Sequence, residues 1–302
     1  MSDKKISIIL GIKNRAHLFK YCLESLSRQD YDLDKVEICI GDGGSNDNLL
    51  NLIDRYSDVF TFKYAIRNEQ YSPIPIISNQ PAARINTIIK NMVSTDIVIK
   101  TDPEIVFKDE WILQEIEDCL SRDDSRTYNA RCHFSEGDTW YMSYDDIINN
   151  FEKHYHYAEN GPFSRSKFYF LSGFSREKFI KMGGIEEMCH YGVGYDDTLF
   201  REIWKNRYGS YEHEITGQAI HLWHGHNQSP PNWEELNKRI YHHLKDMSDS
   251  NVLRLEDGQL KVVENPVWGV PEMLSIIYTI KDGEIIKEES PSEVSQALDL
   301  PF

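Results

Sequence analysis

The chain has 302 residues, 40% hydrophobic and 27% charged, a globular composition with length for one large domain or two fused ones. Its 49 acidic against 33 basic residues give a net charge of −16, which excludes a broad nucleic-acid surface and means that an anionic ligand needs a divalent cation beside it. Mean hydropathy is −0.54, no apolar run approaches the roughly 20 residues of a membrane span, and Met1–Lys5 leads straight into a strand with no apolar leader, so a cytoplasmic location is expected.

The first hundred residues alternate strand and helix, which predicts an α/β fold with a mostly parallel sheet covered on both faces. Strands are expected at Lys5–Gly11, Val36–Gly41, Phe60–Ala65 and Asp96–Thr101. Between them, Asn14 is the expected N-cap of a helix with Leu18, Cys22 and Leu26 four residues apart, Asp47 the start of a helix to about Tyr56, and Gln80–Val93 a third helix. The stretch from Ala65 to Gln80, with Pro73 and Pro75, reads as an irregular excursion. Helices are then predicted at Asp109–Leu120, Arg176–Met182, Asp197–Lys205 and Trp233–Asp246, and strands at Thr127–His133 and Phe168–Gly173. The tail holds short strands and turns at Asp257-Gly258 and Asp282-Gly283. Five scattered cysteines without a CxxC spacing argue against both a disulfide framework and a thiolate zinc site.

Polar clusters follow three of the early strands, where open α/β sheets bind ligands. They are Ile12-Lys13-Asn14-Arg15, then Gly41-Asp42-Gly43-Gly44-Ser45-Asn46-Asp47, then Thr101-Asp102-Pro103-Glu104. Asp42 is suited to accept hydrogen bonds from a base or ribose, although the same segment also fits a plain turn and helix cap. Asp102 and Glu104 offer hard oxygens to Mg²⁺ or Mn²⁺, and equally fit solvated turn residues. There is no GxGxxG and no Walker lysine. Farther on, glycines precede Asp196-Asp197 at a helix start, an arrangement for a general base that the helix dipole alone would also favour. His221, His224 and His226 then fall within six residues, close enough for a metal role.

In this order the clusters resemble the family 2 type inverting glycosyltransferases with the GT-A fold, over about Lys5 to Pro231. Ser7–Arg15 resembles the family's opening strand and base-contacting turn, Val36–Asp47 its acidic loop, Ala82-Ala83-Arg84-Ile85-Asn86 its AxRN helix, and Asp102-Pro103-Glu104 its DxD metal motif with a Glu in the last place. Gly183-Gly184-Ile185-Glu186-Glu187 with Gly192–Asp197 is similar to a pattern shared by bacterial chondroitin polymerases and β4-galactosyltransferases, with Val193 and Tyr195 departing from it.

The resemblance implies a nucleotide-diphosphate sugar donor, UDP by family, and a glycan, lipid-linked or protein hydroxyl acceptor, as in bacterial glycan synthesis or protein glycosylation. Asp197 would be the base, with Asp196 an acceptor or sugar contact. Glu104, His224, and secondarily Asp102 and His221, would hold Mn²⁺ or Mg²⁺. Ile12, Lys13, Asn14, Arg15, Asp42, Gly43, Ser45, Arg84, Thr101 and Asp102 would face the donor. Residues 1–250 would form the catalytic domain, with 1–105 binding nucleotide and 106–250 binding acceptor; 251–302 would pack on it, dimerise or dock a partner. The alternatives are a metal-dependent nucleotide-sugar hydrolase or nucleotidyltransferase, and a non-catalytic sugar-nucleotide-binding module.

Overall fold

In the computed structural model, residues 4–67, 81–135, 141–151, 155–156, 170–191, 194–209, 212–224, 233–256, 259–262, 268–269 and 274–288 are described. The expected excursion through Pro73 and Pro75, Gly192, Val193, His226, Pro230-Pro231 and the Asp257-Gly258 turn lie outside them. Strands β1 (Ile6–Ile12), β2 (Val36–Asp42), β3 (Thr61–Arg67) and β4 (Ile97–Thr101) pair in parallel in the order β3-β2-β1-β4. Ile6, Ile8, Leu10 and Ile12 of β1 enter one core while Ile9 enters another, so the strand is buried on both faces and reads as an apolar run.

Helix α1 (Ala16–Ser27) and α2 (Leu49–Arg55) cover the first face. Helix α3 (Pro81–Asn91) covers the second with Ala82, Ile85, Ile88 and Ile89, a spacing that repeats every helical turn. Two expected caps move. Asn14 has φ 52° and the N-cap of α1 is Arg15, because the Asn14 amide oxygen accepts from the Asn46 N–H at 2.8 Å instead. Asp47 does not open α2, which starts at Leu49 after Asn48; its carboxylate accepts from the Ala16 N–H at 2.8 Å and so serves the first turn of α1.

Strands of mixed direction flank this parallel centre. The chain continues through β5 (Ile105–Phe107), α4 (Ile112–Arg122), β6 (Tyr128–Phe134), α5 (Tyr144–Asn149), β7 (Tyr155–His156), β8 (Leu171–Ser175), α6 (Arg176–Met182), α7 (Asp196–Tyr208), β9 (His213–His221) and α8 (Trp233–Leu244). The sheet runs β4-β8-β6-β9-β5 on one side, with β7 on β6. Helix α4 sits close on it: a Cβ at Gly173 or Gly217 would lie 2.3 Å from Ile116 and 2.5 Å from Ile112, so both strands need glycine there. After a separate ribbon, β10 (Leu253–Glu256) with β11 (Gln259–Val262), the strands β12 (Leu274–Lys281) and β13 (Glu284–Lys287) join the main sheet beside β3. The Asp282-Gly283 link between them has φ 52° and 75°, the two left-handed residues of a tight hairpin. Among the described residues no helix is long and apolar enough to cross a membrane, and all five cysteines are free and buried.

Candidate active site

At the carboxyl ends of β1 and β2 the two following loops are stitched together. Ile12 O accepts from the Gly43 N–H at 2.7 Å, and Ser45 Oγ accepts from the Asn14 N–H at 2.9 Å. Asp42, 2% exposed, is fully engaged: Oδ1 accepts from the Ser45 N–H and hydroxyl at 2.8 and 2.7 Å, and Oδ2 accepts from the Tyr64 hydroxyl at 2.6 Å. These bonds shape the loop, and the Ile12 side chain lies in the core. Arg84 reaches these strand ends from α3. A Cβ at Gly11 would meet its side chain at 3.2 Å, at Gly41 at 2.9 Å and at Gly43 at 3.2 Å. The three glycines therefore make the room in which Arg84 lies.

The metal-side residues come from two elements far apart in sequence. The antiparallel pair β5–β9 sets Ile105 opposite His221, and the Leu222 N–H donates to Glu104 O at 3.0 Å. Glu104, His221 and His224 thereby converge, each with a ligand atom within 4.8 Å of the others. His224 Nε2 is 2.9 Å and His221 Nε2 3.9 Å from Glu104 Oε1. Two imidazoles and a carboxylate, nearly buried, fit a divalent transition ion. Burial pushes the Glu104 carboxyl up, but the hydrogen bond and charge of His224, with His221 and Arg15, outweigh it and hold the group below its usual range. Phe134 and Phe170 pack around the His221 ring at 4.8 and 5.4 Å and fix its plane.

Asp102 stands outside this trio. Its Oδ1 is 3.3 Å from Nζ of Lys100, a lysine only 2% exposed near the end of β4. Burial raises the Asp102 carboxyl, Lys100 opposes the rise, and Glu104 adds to it. Thr101 is buried, its hydroxyl donating to Phe170 O at 3.2 Å. Asp196 and Asp197 occupy the first turn of α7, and the Thr198 N–H donates to Asp197 Oδ1 at 3.1 Å. Burial pushes the Asp197 carboxyl well above the ordinary range and the neighbouring Asp196 pushes it further, against the pull of local backbone N–H groups and of Lys100. Sequence reasoning passed over Lys100; the signal was a lysine in the otherwise apolar strand Ile97–Thr101.

The strand order and the helices on both faces agree with the fold of solved structures. The chain resembles the crystal structure of S. aureus TarS 1-349 in complex with UDP-GlcNAc, with 14% identity, a TM-score of 0.55, and 78% of this chain and 65% of that one covered. Against the structure of S. aureus TarS without that truncation the TM-score is 0.52 at 14% identity, covering 78% of this chain and 39% of that one, so the chain spans well under half of that relative. No curated protein matches the sequence. The family model for Glycosyl transferase family 2 matches residues 7–204, and the chain belongs to that family, with the GT-A type of α/β fold.

Proposed function

We propose that the protein transfers a sugar from a nucleotide-diphosphate donor, a UDP-sugar in the first instance, to the hydroxyl of a glycan, lipid-linked or protein acceptor, with inversion at the anomeric carbon. The observation that carries this reading is the meeting of Glu104 with His221 and His224, brought together from two elements far apart in sequence at the end of the sheet.

Asp197 accepts the proton of the acceptor hydroxyl as that oxygen bonds to the anomeric carbon and the bond to the diphosphate oxygen breaks. A carboxyl raised by burial and by Asp196 is a stronger base than an ordinary aspartate, which suits that task near neutral pH. Lys13, Arg15 and Arg84 supply the positive side chains for the phosphates in a chain of net charge −16. Glu104, His221 and His224 would hold a divalent ion, and two imidazoles favour Mn²⁺ over Mg²⁺. Such an ion neutralises charge on the leaving diphosphate. Residues 1–105 serve the donor and 106–250 the acceptor, in the cytoplasm.

The test is a thermal-shift series with UDP, GDP, CMP and dTDP, each with Mn²⁺ or with EDTA, on the wild type and His224→Ala. A nucleotide at ~100 times its dissociation constant stabilises by about 2.7 kcal/mol. A shift with one nucleotide that needs Mn²⁺ and is lost in His224→Ala supports the donor site. No shift with any nucleotide returns the chain to a non-catalytic module, and sugar released only to water, never to an acceptor, makes it a hydrolase.

A further inference from the structure

The turn that delivers Asp196 and Asp197 holds a backbone form that its sequence does not favour. Gly194 has φ 71°, and Tyr195, which has a Cβ, has φ 67°. Tyr195 is the N-cap of α7, yet no side-chain cap bond is made there. The form therefore depends on contacts from outside the turn, and these come from α8. Asn237 is 1% exposed, and its Nδ2 donates to Gly194 O at 2.7 Å and to Cys189 O at 2.9 Å. One helical turn later on the same face, the Tyr241 ring lies 5.6 Å from the Tyr195 ring. Ile240 and Leu244 are fully buried in the core that also takes Leu199 and Ile203 of α7, so both helices are fixed to one body.

Packing alone does not account for an asparagine here. Its Oδ1 is buried with no hydrogen-bond partner among the described residues, an arrangement that a leucine at the same place would avoid. What asparagine offers is a single amide group with two donors aimed at two carbonyls. We propose that Asn237 is a positioning residue: by tying Gly194 to Cys189, with Tyr241 against Tyr195, it fixes the turn from which Asp197 reaches the acceptor hydroxyl. This rests on the reading of Asp197 as proton acceptor.

The full chain tests it in two readouts. By hydrogen–deuterium exchange, Asn237→Ala speeds exchange of the Gly194–Leu199 amides at least tenfold while peptides of β1 and β2 keep wild-type rates. In UDP release from a panel of UDP-hexoses, kcat falls at least tenfold with KM for the donor within twofold. Asn237→Ala placed in Asp197→Asn costs nothing more, because it acts through a group already removed. Unchanged exchange at Gly194–Leu199 overturns the proposal, and so does a full further loss in the Asp197→Asn background, the mark of a merely structural role. Wild-type activity in Asp197→Asn itself sinks the proton-acceptor reading, a result separate from the exchange measurement. Should Asn237→Ala not fold, Tyr241→Leu, which frees the Tyr195 ring and keeps the amide, is read by the same criteria.

Discussion

The two ends of the parallel strands use buried charge in opposite ways. At the amino ends, Glu37 is 1% exposed and its oxygens accept from the Ser7 hydroxyl at 2.5 Å and from the Ser94 N–H and hydroxyl at 2.8 Å each, with Lys63 Nζ at 3.2 Å. Ser7 in turn meets Thr95 at 2.8 Å, and Lys63 donates to Met92 O at 2.7 Å. Every partner belongs to the protein. At the carboxyl ends, Glu104 raises the cost of ionising Asp102, Asp196 does the same to Asp197, and the histidines crowd onto the Glu104 carboxylate. A charge cluster satisfied from within stabilises the fold; one in mutual conflict is a site held ready for something from outside.

Substitutions sharpen that contrast. The largest effect belongs to Asp197→Asn: kcat for transfer falls about 10²–10⁴-fold, while thermal stability rises. The sign follows from the displacement. The folded carboxyl holds its proton to higher pH than the unfolded one, so ionised Asp197 costs stability above the unfolded value of about 3.9. The advantage of Asp197→Asn in melting temperature therefore grows from about pH 4 upward and levels off above the raised folded value. A variant no more stable than wild type at pH 8 would break the comparison. Glu37→Ala is the mirror image, losing about 3–5 kcal/mol in denaturant unfolding because Lys63 loses its ion pair and the Ser7 and Ser94 donors lose this acceptor, with kcat per folded molecule unchanged. Gly41→Ala follows at about 1–3 kcal/mol, because its Cβ would lie 2.8 Å from Ile88 and 2.9 Å from Arg84, and it weakens the UDP-dependent thermal shift as well. The smallest is Arg131→Ala, which removes a surface pair with Glu214 across β6 and β9 and costs about 0.2–1 kcal/mol, reduced further by salt.

The parallel centre was legible because its strands are apolar on both faces and bounded by turn residues, so β1, β2, β3 and β4 fall within two residues of the expected bounds. Short or half-polar strands were not. β5 has only three residues and β9 opens with the largely polar stretch His213–Gln218, so no strand was expected at either place. That pair of strands is what sets His221 and His224 against Glu104, so the residue types of the trio were readable while their meeting was not. The misplaced caps have the same origin. Asn14 and Asp47 both suit a helix start locally, and each is diverted by a bond to the neighbouring loop that no local pattern encodes. Asn237 carried no signal at all, since a lone asparagine in a charged helix reads as surface.

Arg84 and its three glycines make four positions behave as one heritable unit. A side chain at Gly11 meets nothing but Arg84 within 4 Å among the atoms nearest to it, so its acceptability is decided by a residue on another element. With Arg84 shortened to alanine a Cβ at Gly11 is freed of that contact; with Arg84 in place it lies 3.2 Å from that side chain, which must shift to admit it. The order in which such changes can accumulate is thereby constrained, and a redesign of the donor end of this protein must treat α3 and the ends of β1 and β2 as a single choice.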